Sequence, residues 1–125
     1  MKVLLAIPAV IEAATGLALL LSPSLVAALL LGASLDAPAA LLVGRLAGAA
    51  LLSLGVACWL ARDDAPGRTA RAVVSAMLLY NVAAAVILSY ASAGLGFFSI
   101  FLWPAIVLHA ALALWCSMVH YKKVN

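Results

Sequence analysis

Charge is scarce in this chain. Lys, Arg, Asp and Glu account for 9% of the 125 residues, as 7 basic and 4 acidic side chains, where a water-soluble domain carries about a quarter. With 69% of residues hydrophobic and a mean hydropathy of +1.28, so small a domain cannot hide its apolar side chains from water, because small folds keep much of their surface exposed. Lipid is therefore the expected solvent, and residues 1–125 read as a single transmembrane domain.

Chemistry-bearing motifs are equally thin. The 2 cysteines, Cys58 and Cys116, form no CxxC and no Cys/His zinc spacing, so they read as buried, inert thiols and no metal ligand is nominated. There is no Gly-rich phosphate loop, no Ser/His/Asp set and no HExxH, so no catalytic residue is nominated and nothing specifies an enzyme. The formal charge of +3 is spread over the ends of apolar runs rather than gathered on one face, which excludes a nucleic-acid partner. Asp63 and Asp64, among Arg62, Pro66, Gly67 and Arg68, read as a solvated turn.

What is present is a set of four apolar stretches, from Val3 to Leu21, Ala39 to Ala61, Ala72 to Tyr90 and Phe97 to Val119. Each approaches or exceeds the roughly 20 helical residues that a hydrocarbon layer about 30 Å thick requires. A spanning segment must satisfy its own backbone groups, and the alternation of a barrel strand is absent, so the fold class is all-α: a four-helix membrane bundle. The segment from Ser24 to Gly32 is apolar but too short to span. Pro23 at its head, with Ser22 or Ser24 as cap, predicts a short helix lying at the interface or dipping into it. Lys2 before an apolar run resembles a secretory signal, but Glu12 interrupts the run and no small-x-small cleavage site follows, so the first segment is expected to be retained.

Basic residues orient the chain. Lys2 precedes the first helix, Arg62, Arg68 and Arg71 lie between the second and third, and Lys122 and Lys123 follow the fourth, while Ser22 to Pro38 and Ala91 to Gly96 hold none. Positive residues collect on the cytoplasmic side, so both termini and the middle loop are expected there, in a bacterial inner membrane crossed several times. Trp59, Trp115 and Tyr121 then fall near the cytoplasmic interface, and Tyr90, Phe97 and Phe98 near the outer one, as an aromatic belt requires. Small residues should bring helices close, since lipid supplies no hydrophobic drive between them: Gly44, Gly48 and Gly55 mark one seam, and Ala72, Ala76 and Ala83 another.

The most informative feature is polar. Segment midpoints place Glu12, Asn81 and His109 at one depth near the bilayer centre, on three helices, with Arg45 about 7 to 8 Å further toward the outer face at 1.5 Å per residue. A charged side chain at the centre costs at least about 2.5 to 3.5 kcal/mol on insertion scales, so Glu12 is expected to pair with Arg45 or His109, Arg45 either turning inward or snorkelling toward the outer face. Trp103, beside Pro104, is expected at the depth of Arg45 and in reach for stacking. Pro104 should free the carbonyl of Ile100 and bend the last helix. If the set binds a ligand or protons, Glu12 and His109 handle protons, Arg45 holds an anionic group, and Tyr80 and Asn81 hydrogen-bond the ligand. The competing expectation is polar glue that fixes helix register.

Two resemblances bear on this. Glu12 followed by Gly16 is similar to the first helix of small multidrug-resistance exporters, but the later Trp and Gly patterns of that family are missing and Arg45 and His109 are foreign to it. The run Arg45-Leu-Ala-Gly48 through Leu54-Gly55 to Cys58-Trp59, with Tyr80-Asn81 and Trp103-Pro104 to His109, resembles small, largely uncharacterised bacterial four-helix membrane proteins, DoxX-like in texture. That resemblance implies a fold and an inner-membrane location, not an activity. Three functions are expected, in order: a structural or accessory subunit of a larger membrane complex, a proton-linked carrier or binding protein for a small molecule, and a haem- or quinone-binding redox protein. The lipid bilayer is the expected partner, with other membrane subunits or a second copy as alternatives. No cofactor is expected, since His120 lies about 16 Å beyond His109 along one helix and a second axial haem ligand would have to come from a dimer.

Overall fold

A computed structural model, describing residues 1–122, is all-helical, with no strand among the described residues. Its helices are α1 (Lys2–Leu21), α2 (Pro23–Leu31), α3 (Pro38–Ala61), α4 (Arg68–Ala93) and α5 (Leu102–Tyr121), with a 3-10 turn at Arg62–Asp64 after α3. Lys123 lies outside the described residues. The four long helices are each long and apolar enough to cross a membrane. Only 17% of the most apolar window of α3, and the same share of α4, is buried; Leu46, Leu79 and Val86 face outward. A face so apolar and so open belongs in lipid.

α1 packs chiefly on α3, and α4 chiefly on α5. The first pair meets backbone to backbone. A Cβ on Gly16 would stand 2.5 Å from the Leu52 amide nitrogen, and one on Gly48 would stand 2.7 Å from the Gly16 carbonyl oxygen; Gly55 sits as closely against Ala9 and Ala13. Glycine is what allows this approach, and dispersion between touching backbones takes the place of the missing hydrophobic drive. Gly44, the outermost of the expected seam, meets the Pro23 ring instead.

The two pairs join at the end that carries the chain termini. Leu4 and Leu5 of α1, Cys58 of α3, Val74 and Met77 of α4 and Cys116 of α5 form one buried cluster there. Toward the other end the pairs part, and α2 fills the gap. Its nine residues span about 13 Å, less than half of a hydrocarbon layer. Pro23 opens it, and Gly32 closes it in a left-handed conformation with φ 71°, which a residue with a Cβ rarely adopts. Ser22 is the N-cap residue but makes no side-chain cap bond. Ser24 instead accepts a hydrogen bond from the Leu35 amide at 3.1 Å, fastening the loop that leads to α3.

Two helix starts differ from the sequence expectation. α4 begins at Arg68 rather than Ala72, because Oδ2 of Asp64 accepts from the amides of Thr69 at 2.9 Å and Ala70 at 3.4 Å, satisfying first-turn donors. The turn is solvated, as expected, and also caps a helix. α5 begins at Leu102 rather than Phe97. Gly96 takes φ 72°, and Ser99 builds a turn by accepting from the Phe101 amide at 3.2 Å while its own hydroxyl donates to the Leu29 carbonyl of α2. Ile100 is consequently outside the helix, and Pro104 falls in its first turn, where a missing N–H breaks nothing. The expected bend in the last helix has no cause. Among the helices, α1 carries an interior proline, Pro8.

Gly16→Val should therefore weaken the α1–α3 pair by about 1 to 3 kcal/mol through overpacking, measured by equilibrium unfolding in mixed micelles. Ala47→Val, on the outward face of α3, should change it by less than about 0.5 kcal/mol.

Candidate functional site

Each polar residue of the centre sits in an apolar stripe of its helix. Pro8, Ala9, Glu12 and Gly16 repeat at three- and four-residue spacing along the buried face of α1, as Val74, Met77 and Asn81 do on α4. The stripes that bury Leu and Met elsewhere thus carry Glu12 and Asn81 inside, leaving them 1% and 0% exposed. Groups buried so deeply need hydrogen-bond partners within the protein or in a molecule bound beside them.

Asn81 is fully engaged. Its Nδ2 donates to the Met77 carbonyl at 2.8 Å, and its Oδ1 lies 2.8 Å from Nδ1 of His109 on α5. The Tyr80 ring meets the His109 ring edge-on, with centroids 5.6 Å apart at 84°, a favoured aromatic geometry. From α4, Tyr80 also approaches the Glu12 carboxyl with its hydroxyl, while Oε1 of Glu12 has no hydrogen-bond partner among the described residues. α4 and α5 are therefore tied together at this depth by Asn81 and His109, with Glu12 of α1 facing them across the cavity.

A cavity of about 300 Å³ opens beside this set. Its walls are apolar, with Val26 and Leu30 of α2 as a roof, except where Glu12, Thr15, Tyr80 and His109 line it. An adjoining space of about 420 Å³ shares Thr15, Tyr80 and His109 and reaches along Ala83, Ile87 and Leu88 of α4. A half-open apolar recess with a few convergent polar groups is a common form of small-molecule site.

Of the six residues expected to bind a ligand or protons, Tyr80, Glu12 and His109 line the cavity, and Asn81 stands behind His109. Arg45 and Trp103 do not join them. The guanidinium of Arg45 donates to the Leu20 carbonyl at 2.8 Å, at the C-terminal end of α1, where a cation meets unpaired carbonyls and the negative end of the helix dipole. Leu20 is two turns past Glu12, about 12 Å along the axis, so the expected Glu12–Arg45 pair is overturned. His109 likewise bonds to Asn81 rather than to Glu12, and the ion pair found among the described residues is Arg62 with Asp63, at 3.6 Å. Trp103 is the second residue of α5, 55% exposed. The guanidinium found stacked on a tryptophan is Arg62 over Trp59, 3.3 Å from the ring centroid. Thr15 was not nominated from the sequence, although it lies one turn beyond Glu12 on the same face, and that spacing was the available signal.

Comparison with known proteins returned no match: no family model fits the chain, and no curated protein or solved structure is significantly similar to it. The DoxX-like texture therefore rests on the residues quoted for it alone.

Asn81→Leu should cost about 0.6 to 1.7 kcal/mol of stability, the range of interhelical hydrogen bonds within membranes. It should also release the His109 ring, so that ¹⁵N ring signals change from one tautomer to a mixture. An unchanged ring spectrum would count against the Asn81–His109 bond.

Proposed function

We propose that this protein is a multi-pass protein of a bacterial inner membrane, its termini cytoplasmic, that binds a small, largely apolar molecule drawn from the bilayer. One observation carries the reading: a cavity among four helices whose apolar walls are broken by Glu12, Thr15, Tyr80 and His109. Polar glue alone would close around its partners. Here the glue bond, Asn81 to His109, is complete, and the space beside it is left open. The short α2 supports entry from the lipid, since half a membrane thickness at its position is not filled by a spanning helix.

The orientation is supported by Lys2, Arg62, Arg68 and Arg71 lying toward the end with the termini, and Lys2 and Lys122 line one recess there. Partnership in a larger complex has only the extent of outward apolar surface in its favour, and lipid covers that equally well. Glu12 and His109 are the groups by which binding would be coupled to protons, the carrier form of the same reading.

The protein purified in a mild detergent should yield, on organic extraction and mass spectrometry, a lipid-soluble molecule in stoichiometric amount. Ala105→Phe, which fills the cavity from α5, should remove that molecule without lowering the unfolding temperature. An extract identical to wild type would sink the proposal.

A further inference from the structure

Resting on the binding reading above, we infer that the ligand is a neutral molecule that donates a hydrogen bond to Nε2 of His109: a hydroxyl or phenol group on an apolar body. The chain of reasoning starts at a backbone carbonyl. Met77 O can only accept, so the Asn81 amide must turn Nδ2 toward it, which leaves Oδ1, also an acceptor, against Nδ1 of His109. Two acceptors cannot bond, so Nδ1 carries the hydrogen, and the opposite amide orientation would leave two oxygens facing each other at Met77. In the neutral ring the lone pair is then on Nε2.

Nε2 has no partner among the described residues and is not enclosed, while His109 lines both adjoining cavities. An accessible acceptor in an apolar recess selects a donor, because a ligand that covers it without meeting it bears the cost of its desolvation. Charge is selected against in both signs. No Lys or Arg lines either cavity, Arg45 being held at Leu20, so an anion finds no counter-charge. Glu12 offers a cation little, since it is 1% exposed and presents almost no carboxyl surface to the cavity it borders. Thr15 can donate or accept and so fits the same ligand.

The full chain in lipid nanodiscs is titrated with four probes of one shape: 1-naphthol, 1-methoxynaphthalene, 1-naphthoate and 1-naphthylmethylammonium. Ala105→Phe serves as the filled-cavity reference against simple partition into lipid. The expected result is saturable binding of 1-naphthol at least about tenfold tighter than of its methyl ether, one hydrogen bond's worth, with the charged probes weaker still. His109→Phe should erase the preference for the naphthol over the ether. Because that variant can fold poorly, ring ¹⁵N signals of His109 in a His120→Gln background give a second reading: an Nδ1–H tautomer whose Nε2 signal moves to lower frequency on adding 1-naphthol. Equal affinity for naphthol and ether, tightest binding of a charged probe, or an Nε2–H tautomer would each overturn the inference while leaving the binding reading intact. Binding of every probe indistinguishable from the Ala105→Phe reference would overturn both.

Discussion

The contact on which the other placements depend is the one between Gly16 and Gly48. Where two helices touch through their backbones, neither can rotate without driving a side chain into the other's peptide groups, so the facing of α1 is set by α3. Ala9, Ala13 and Gly16 occupy that contact, and Glu12, lying beside the ridge rather than on it, is turned toward α4 and α5. The same approach brings Arg45 level with the end of α1, where free carbonyls compete for its guanidinium more effectively than a carboxyl two turns away. One close crossing thus places the acid inside and the base outside.

A second consequence is the division of labour between the two ends of the molecule. At the end with the termini, all four long helices converge on Leu4, Leu5, Cys58, Val74, Met77 and Cys116 and close an apolar core. At the other end the pairs diverge with α2 lying between them, and the polar set stands where closure gives way to space. Interhelical hydrogen bonds in lipid are individually modest, about 0.6 kcal/mol on average, so the Asn81 bridge fixes the direction of a ring rather than the stability of the fold. Its value lies in which nitrogen it leaves free.

Much of this was legible in the residues. Four spans, a short fifth helix opened by Pro23, and the shared depth of Glu12, Asn81 and His109 follow from run length, proline and position, which are local properties. Spacing located Gly48 and Gly55 on a packing seam but could not say that Gly16, on another helix, was their partner. Pairing of Glu12 with Arg45 rests on opposite sign and near depth, and it fails because the long Arg45 side chain reaches outward to the Leu20 carbonyl, two turns beyond Glu12. The starts of α4 and α5 were misplaced for a different reason. Each is set by one side chain, Asp64 or Ser99, whose acceptor role appears only once the turn around it is formed. The cavity had no sequence signal, since it is a gap between elements rather than a property of any one.

α2 is held from two sides. Its end at Gly32 abuts the Phe98 carbonyl so closely that a Cβ would collide with it, and the Leu29 carbonyl takes the Ser99 hydroxyl, while Ser24 and Pro23 bind it to the α3 side. It therefore works as a tie rod between the two helix pairs. A force that spreads them loads this rod, so the width of the cavity depends on fastenings at Leu29, Gly32 and Ser24 as well as on the side chains that face into it.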